Sequence, residues 1–204
     1  MVSIKKRIFI VALAVLIFVV VFKVTSHKAS LRYFSTAMEP TIGNDDTILV
    51  DYSAYRTRRP TRWEIVIYEM ELPQGGTGFW VFRVVGLPGE KIKIEEGGIF
   101  VNDERLEVPK DLSHLSYLPR EVLEGSVSEE PTQVYSVPEK SYFLLGDNSK
   151  RAADSRFYGP VSFDRLKGAV KRKCSYSSFC VWYDLLCTWG PEWIQPADCD
   201  VTTL

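Results

Sequence analysis

The chain has 204 residues, of which 46% are apolar and 25% charged, with a formal net charge of -1. That length supports one domain with a substantial core and room for a small subdomain. Near-neutrality argues against a nucleic-acid partner held by phosphate neutralisation. The two histidines, His27 and His114, lie far apart in sequence and argue against a histidine-based metal site or a histidine-driven hydrolase, so neither metal nor cofactor is expected.

Lys5, Lys6 and Arg7 precede an apolar run from Ile8 to Phe22, followed by Lys23 and Val24. The run is shorter than the roughly 20 residues a spanning helix needs, but Lys23 can snorkel and Val24 extends the stretch. The reading is a basic cytoplasmic N-terminus over 1–7, an uncleaved transmembrane anchor over 8–24 and an exported remainder. A cleaved secretory signal is the alternative. Against it, residues 24–30 carry His27 and Lys28 where a small-x-small cleavage site is wanted.

Beyond the anchor, short runs rich in Ile, Val and aromatics predict strands at Thr47–Asp51, Glu64–Tyr68, Trp80–Val85, Gly98–Val101, Tyr142–Leu145 and Ala169–Lys171. Turn residues separate them at 43–46, 73–76, 87–89 and 102–103. No long segment after the anchor has a convincing helical period. The expected fold is mostly β, an antiparallel barrel or sheet domain over about 31–171. Residues from about 103 to 140 are charged, proline-punctuated and weakly periodic, and read as an inserted loop or small subdomain. The run Asp103–Glu107 reads as a hairpin turn, and Lys171-Arg172-Lys173 as a solvated strand end.

The tail over 172–204 is rich in Cys and Trp. Cys174, Cys180, Cys187 and Cys199 form an even-numbered cluster in a segment expected to be exported, which suggests two disulfides with three possible pairings. Zinc is the alternative, but no Cys-x-x-Cys and no nearby His is present. Trp182, Tyr183, Trp189 and Trp193 suit a small disulfide-stapled cap, or an aromatic surface at lipid headgroups.

Three segments stand out together. The first is Ser35-Thr36-Ala37-Met38-Glu39-Pro40-Thr41-Ile42. The second is Phe82-Arg83-Val84-Val85-Gly86-Leu87-Pro88-Gly89-Glu90. The third runs Gly146-Asp147-Asn148-Ser149-Lys150-Arg151-Ala152-Ala153-Asp154-Ser155-Arg156, followed by Gly159 and Val161. In this order behind an N-terminal anchor, over roughly residues 5–171, they resemble the bacterial type I signal peptidases, which are serine endopeptidases using a Ser-Lys dyad. The resemblance implies a serine nucleophile activated by a lysine whose pKa burial has lowered. It also implies a second serine supporting that lysine, and an oxyanion held by a backbone N–H and a further serine hydroxyl.

Carried over position by position, those roles fall on the wrong side chains. The nucleophile position is Ala37, the general-base position Phe82 and the supporting-serine position Ala152. Losing all three departs from the single change expected of an engineered knockout, and a phenylalanine in place of a buried lysine gains burial of about 1.5–3 kcal/mol. Ser35 matches the oxyanion-side serine. Ser35, Ala37, Met38, Pro40 and Phe82 are the expected segment-binding residues. Arg83, Gly146, Asp147, Asn148, Asp154, Ser155 and Arg156 are expected to be structural, Asp154 and Arg156 as an ion pair.

The expectation is a signal peptidase-like pseudoenzyme. It would sit in a bacterial cytoplasmic membrane as a single-pass protein with an extracytoplasmic domain. There it would bind exported preproteins or secreted or pilus-type subunits in an assembly or chaperone role, or modulate a true signal peptidase. The rival is an active endopeptidase removing signal peptides with a rearranged nucleophile, Ser35 first, for which Arg83, Lys91 and Lys93 are the bases nearest Phe82 in sequence. A third reading makes the tail the working part.

Overall fold

A computed structural model describes residues 13–15, 28–72, 74–95, 98–123 and 133–174. The expected anchor lies outside the described residues apart from 13–15. Among the described residues no helix is long and apolar enough to cross a membrane. Of the four cysteines only Cys174 falls among them, so the tail's pairing and packing lie outside as well.

Eleven strands form two antiparallel sheets among the described residues. They are β1 (Lys28–Arg32), β2 (Thr47–Asp51), β3 (Ile65–Glu71), β4 (Thr77–Gly86), β5 (Lys91–Glu95), β6 (Gly98–Val101), β7 (Glu104–Arg105), β8 (Val134–Ser136), β9 (Ser141–Leu145), β10 (Val161–Ser162) and β11 (Leu166–Cys174). The larger sheet has the order β1-β2-β11-β3-β4-β9-β10 and the smaller β7-β6-β5-β8. The protein is thus mostly β and antiparallel, as its short apolar runs separated by Gly, Pro, Asn and Asp dictate.

Side-chain alternation builds two cores from the same strands. On β9, Tyr142 and Leu144 enter one buried cluster while Phe143 and Leu145 enter the other. On β4, Phe82 and Val84 face the first and Val85 the second. Strands β4 and β9 are therefore covered on both faces, which is why β9 reads as an apolar run over 142–145, and β4 as one over 79–85 interrupted only by Arg83, and not as alternating ones. Gly86 allows the close approach: a Cβ there would lie 2.7 Å from the Phe143 Cβ and 2.8 Å from Ile92 Cγ1.

Six strands fall where the sequence predicts them, with ends moved by at most three residues. Strands β1, β5, β7, β8 and β10 were not predicted. In β5 the signal is present, because Lys91-Ile92-Lys93-Ile94 alternates and only the two isoleucines are buried. The other four are short and polar, and tertiary pairing decides them. Asn102 and Asp103 adopt φ of 51° and 69° between β6 and β7, the left-handed pair that closes a tight hairpin.

Candidate functional site

The segment 35–42 leaves β1 and crosses the end of the larger sheet toward the turn after β9. Two hydrogen bonds fix it there: the Asn148 backbone N–H donates to the Ala37 carbonyl at 3.0 Å, and Asn148 Nδ2 donates to the Thr36 carbonyl at 3.0 Å. Met38 and Ile42 are fully buried and pin the segment to the first core. Pro40 is exposed and Met38 is inside the core, so neither lines the groove described below.

Gly146 is where Ala37, Phe82 and Ala152 meet. A Cβ on Gly146 would lie 2.3 Å from the Ala152 Cβ, 2.7 Å from the Ala37 carbonyl oxygen and 3.2 Å from the Phe82 ring. Residues distant in sequence thus converge on one point, and all three are buried. Their surroundings are apolar: the Phe82 ring stacks obliquely near Tyr68 and Trp80, with centroids 6.0 and 6.3 Å away. None of the three side chains can donate or accept a proton. Ala37 and Ala152 carry methyl groups, and Phe82 a hydrocarbon ring.

Ser35 is placed differently. Its Oγ accepts the Ala37 backbone N–H at 3.1 Å. The Tyr33 phenol, whose pKa burial pushes up despite hydrogen bonds to Ser35 and the Met38 backbone, is its other polar neighbour. The Ser35 hydroxyl, which the resemblance places on the oxyanion side, is therefore already bonded to the Ala37 backbone N–H. None of the candidate bases is aimed at Ser35. Arg83 is spent on Asp147, while Lys91 and Lys93 lie on β5 in the other sheet, with Lys93 paired to Glu95 at 2.9 Å.

Beneath the site lie two buried ion pairs. Arg83 donates to Asp147 from Nε at 2.8 Å and from Nη2 at 2.6 Å, and from Nη1 to the Trp63 carbonyl at 2.8 Å. Tyr117 donates its hydroxyl to the same Asp147 carboxylate at 2.9 Å, and Thr41 donates to its other oxygen. Burial lowers the Arg83 pKa, but the Asp147 hydrogen bonds and charge outweigh it and raise it; burial pushes the Tyr117 phenol well up. In the second pair Arg156 donates to Asp154 at 2.8 and 2.7 Å, and also reaches Ser149 and the Leu118 carbonyl. Asp154 in turn accepts the Gly146 N–H at 2.9 Å, and Ser155 accepts the Leu144 N–H at 2.9 Å. Sequence reasoning missed Tyr117 and Thr41, since no local pattern links them to Asp147.

Beside the convergence point runs an apolar groove of about 430 Å³, with Leu31–Ser35 on one wall and Gly78–Phe82 on the other, floored by Ile48 and Ile67. Ser35, Ala37 and Phe82 line it. Strand β4 pairs with β3 over Thr77–Arg83 but with β9 only at Arg83, Val84 and Gly86. Its backbone from 77 to 82 therefore has an edge without a strand partner among the described residues, and residues 78–82 line the groove. The wall residues Phe34, Phe79 and Trp80 were not singled out from sequence. Phe34 and Phe79 are exposed and Trp80 is partly buried, and no local sequence pattern marks them as groove residues.

A family model described as signal peptidase, peptidase S26, matches residues 3–174. The chain is 32% identical over 147 residues to signal peptidase I U of Bacillus subtilis, covering 72% of this chain and 73% of that one. It is 31% identical over 138 residues to signal peptidase I V of the same organism, covering 66% and 78%. It is 29% identical over 147 residues to a probable signal peptidase I-2 of Synechocystis, covering 69% of this chain but only 60% of that protein's length. A solved signal peptidase I from Enterococcus faecalis aligns over 55% of this chain and 97% of its own, at 24% identity and a TM-score of 0.39. With motifs in family order and a family match over most of its length, this chain belongs to the signal peptidase, peptidase S26, family.

Proposed function

We propose that this protein is a membrane-anchored signal peptidase homologue without peptidase activity, which binds extended segments of exported proteins in the groove. The carrying observation is the convergence of Ala37, Phe82 and Ala152 on Gly146, because it leaves nucleophile, base and base-support positions without a titratable or nucleophilic atom. A serine-lysine mechanism needs a hydroxyl whose proton a neutral amine can take, and neither group is there. The groove supports a binding role. Its apolar walls accept alternate side chains of an extended segment, and the unpartnered edge of β4 can hydrogen-bond that segment's backbone by strand addition. Exported preproteins or secreted subunits are the ligand class, and two disulfides among the four cysteines would suit the exported placement.

A second reading is favoured by the relatives, which are named as signal peptidases: an active endopeptidase that removes signal peptides with Ser35 as nucleophile. It requires Ser35 to give up the Ala37 N–H and a base to move toward it. One experiment separates the two. A labelled preprotein is incubated in detergent with the parent and with an Ala37→Ser, Phe82→Lys, Ala152→Ser triple variant. We expect a silent parent and a cleaving triple variant. Cleavage by the parent, abolished by Ser35→Ala, would overturn the pseudoenzyme reading.

A further inference from the structure

We infer that the arginine-rich turn after β2, with Arg56, Arg58 and Arg59 exposed on it, docks on the anionic lipid headgroups of the membrane that holds the chain. The inference rests on the membrane-anchored reading above. It adds an electrostatic contact that sets how the β domain lies against the bilayer.

The charge is concentrated in one place. Against a net charge of -1 for the whole chain, residues 52–63 read Tyr-Ser-Ala-Tyr-Arg-Thr-Arg-Arg-Pro-Thr-Arg-Trp, with four arginines and no acidic residue. Arg56, Thr57, Arg58 and Arg59 are exposed. The fourth arginine, Arg62, is paired with Glu90 at 2.5 Å and lies outside the surface. Nearby acidity does not cancel the other three. Glu64 is shared by two cations, Arg58 at 2.5 Å and Lys171 at 3.4 Å. Arg59 has no carboxylate partner among the described residues, and its guanidinium lies over the Phe163 ring at 3.9 Å.

The arginines stand on a fixed platform. The Ala54 N–H donates to the Asp51 carbonyl at 3.4 Å and the Arg56 N–H to the Ser53 carbonyl at 3.0 Å. The Asp51 carboxylate accepts the Ser53 N–H at 2.9 Å and its hydroxyl at 2.6 Å. Tyr55 packs edge-on against Phe163 with centroids 6.3 Å apart, and Pro60 is buried. A turn held in this way loses less conformational freedom on binding than a loose loop does.

Its position ties it to the membrane. Asp51, which opens the turn, pairs with Lys28, the first residue of β1. Lys28 follows the apolar run Ile8–Phe22 in the sequence, so the chain enters the domain beside this turn. A bilayer containing anionic lipid presents a flat, diffuse field of phosphates, which guanidinium groups bind through charge-assisted hydrogen bonds. Arginines this exposed suit such a field better than a single enclosed anion.

The test uses the full chain reconstituted in vesicles, with Thr57 replaced by fluorescent dansylalanine. Quenching by a nitroxide on the lipid headgroup reports how near residue 57 lies to the membrane surface. Phosphatidylcholine vesicles are compared with vesicles that also contain phosphatidylglycerol. Quenching should be about threefold stronger with phosphatidylglycerol. It should fall to the phosphatidylcholine level in about 1 M NaCl, where the screening length is about 3 Å, and in an Arg56→Gln, Arg59→Gln variant. Equal quenching in both lipids, or quenching that salt leaves unchanged, overturns the inference. The salt and lipid series use the labelled parent alone, so they decide the question whatever the variant's folding. Flotation tests the anchor separately, since an anchored chain floats with pure phosphatidylcholine vesicles in the same high salt. A chain that does not, yet is quenched in the anionic vesicles at low salt, keeps the docking turn and overturns the anchor. A chain that floats with neither kind of vesicle overturns both.

Discussion

Phe82 shows how one side chain commits a site. Its ring is 1% exposed and packs on Tyr68, Trp80 and the space above Gly146. Phe82→Lys alone removes that packing and buries an ammonium without a serine to support it, so it should cost more than about 3 kcal/mol in chemical denaturation. The new lysine's folded pKa would fall below its free value of about 10.4. Across that interval the unfolded chain binds the extra proton, so the variant's stability should rise as pH is raised from neutral toward 10. A flat profile would mean that the amine has reached solvent. Adding Ala37→Ser and Ala152→Ser should recover part of the loss. That Ala37, Phe82 and Ala152 belong together was legible in sequence, because the three segments that carry them are contiguous motifs with fixed spacing to their neighbours. What Ser35 bonds to was not, since a hydrogen bond to the Ala37 N–H depends on how the segment 35–42 bends.

At the scale of elements, the turn from Gly146 to Asn148 and the segment 35–42 are locked face to face. Gly146→Ala would drive a methyl into the Ala152 Cβ and the Ala37 carbonyl, and overpacking of this kind costs about 1–3 kcal/mol. It should lower the urea midpoint and weaken peptide binding together, whereas Gly75→Ala, in the open β3–β4 turn, should spare binding. Asp147→Ala strands the Arg83 charge at 2% exposure and should cost about 3–5 kcal/mol. An Arg83→Met, Asp147→Leu double variant should lose less than the single one, since no uncompensated charge is left behind. Doubly buried strands such as Tyr142–Leu145 could be found from their apolar runs. Strand β1 could not, because Lys28-Ala29-Ser30-Leu31-Arg32 gains its strand character from pairing with β2.

At the scale of the molecule, the two cores share β4 and β9 and should melt as one unit. Burial raises the phenols of Tyr55, Tyr68 and Tyr117 above their ordinary value, with acidic neighbours adding to it. Below about pH 10 these tyrosines are neutral in both states; above it the unfolded chain ionises first. Stability should therefore be level below about pH 10 and fall as pH rises beyond it, seen as a urea midpoint that declines only above about pH 10. A midpoint that stays level from pH 10 to 11 would contradict this.

The reach of Tyr117 across to Asp147 also has a consequence for how this fold can vary. Tyr117 packs in the core beside the smaller sheet yet bonds the carboxylate under the candidate site, and the neighbouring Leu118 binds Ser149 and Arg156. Residues 117–118 are thus a rivet between the region around 103–140 and the site, not ornament on a loop. Lengthening that region on either side of the rivet leaves it in place, but trimming through it would orphan two buried arginine networks at once. Shortened forms of this protein should fail at the site before they fail at the surface.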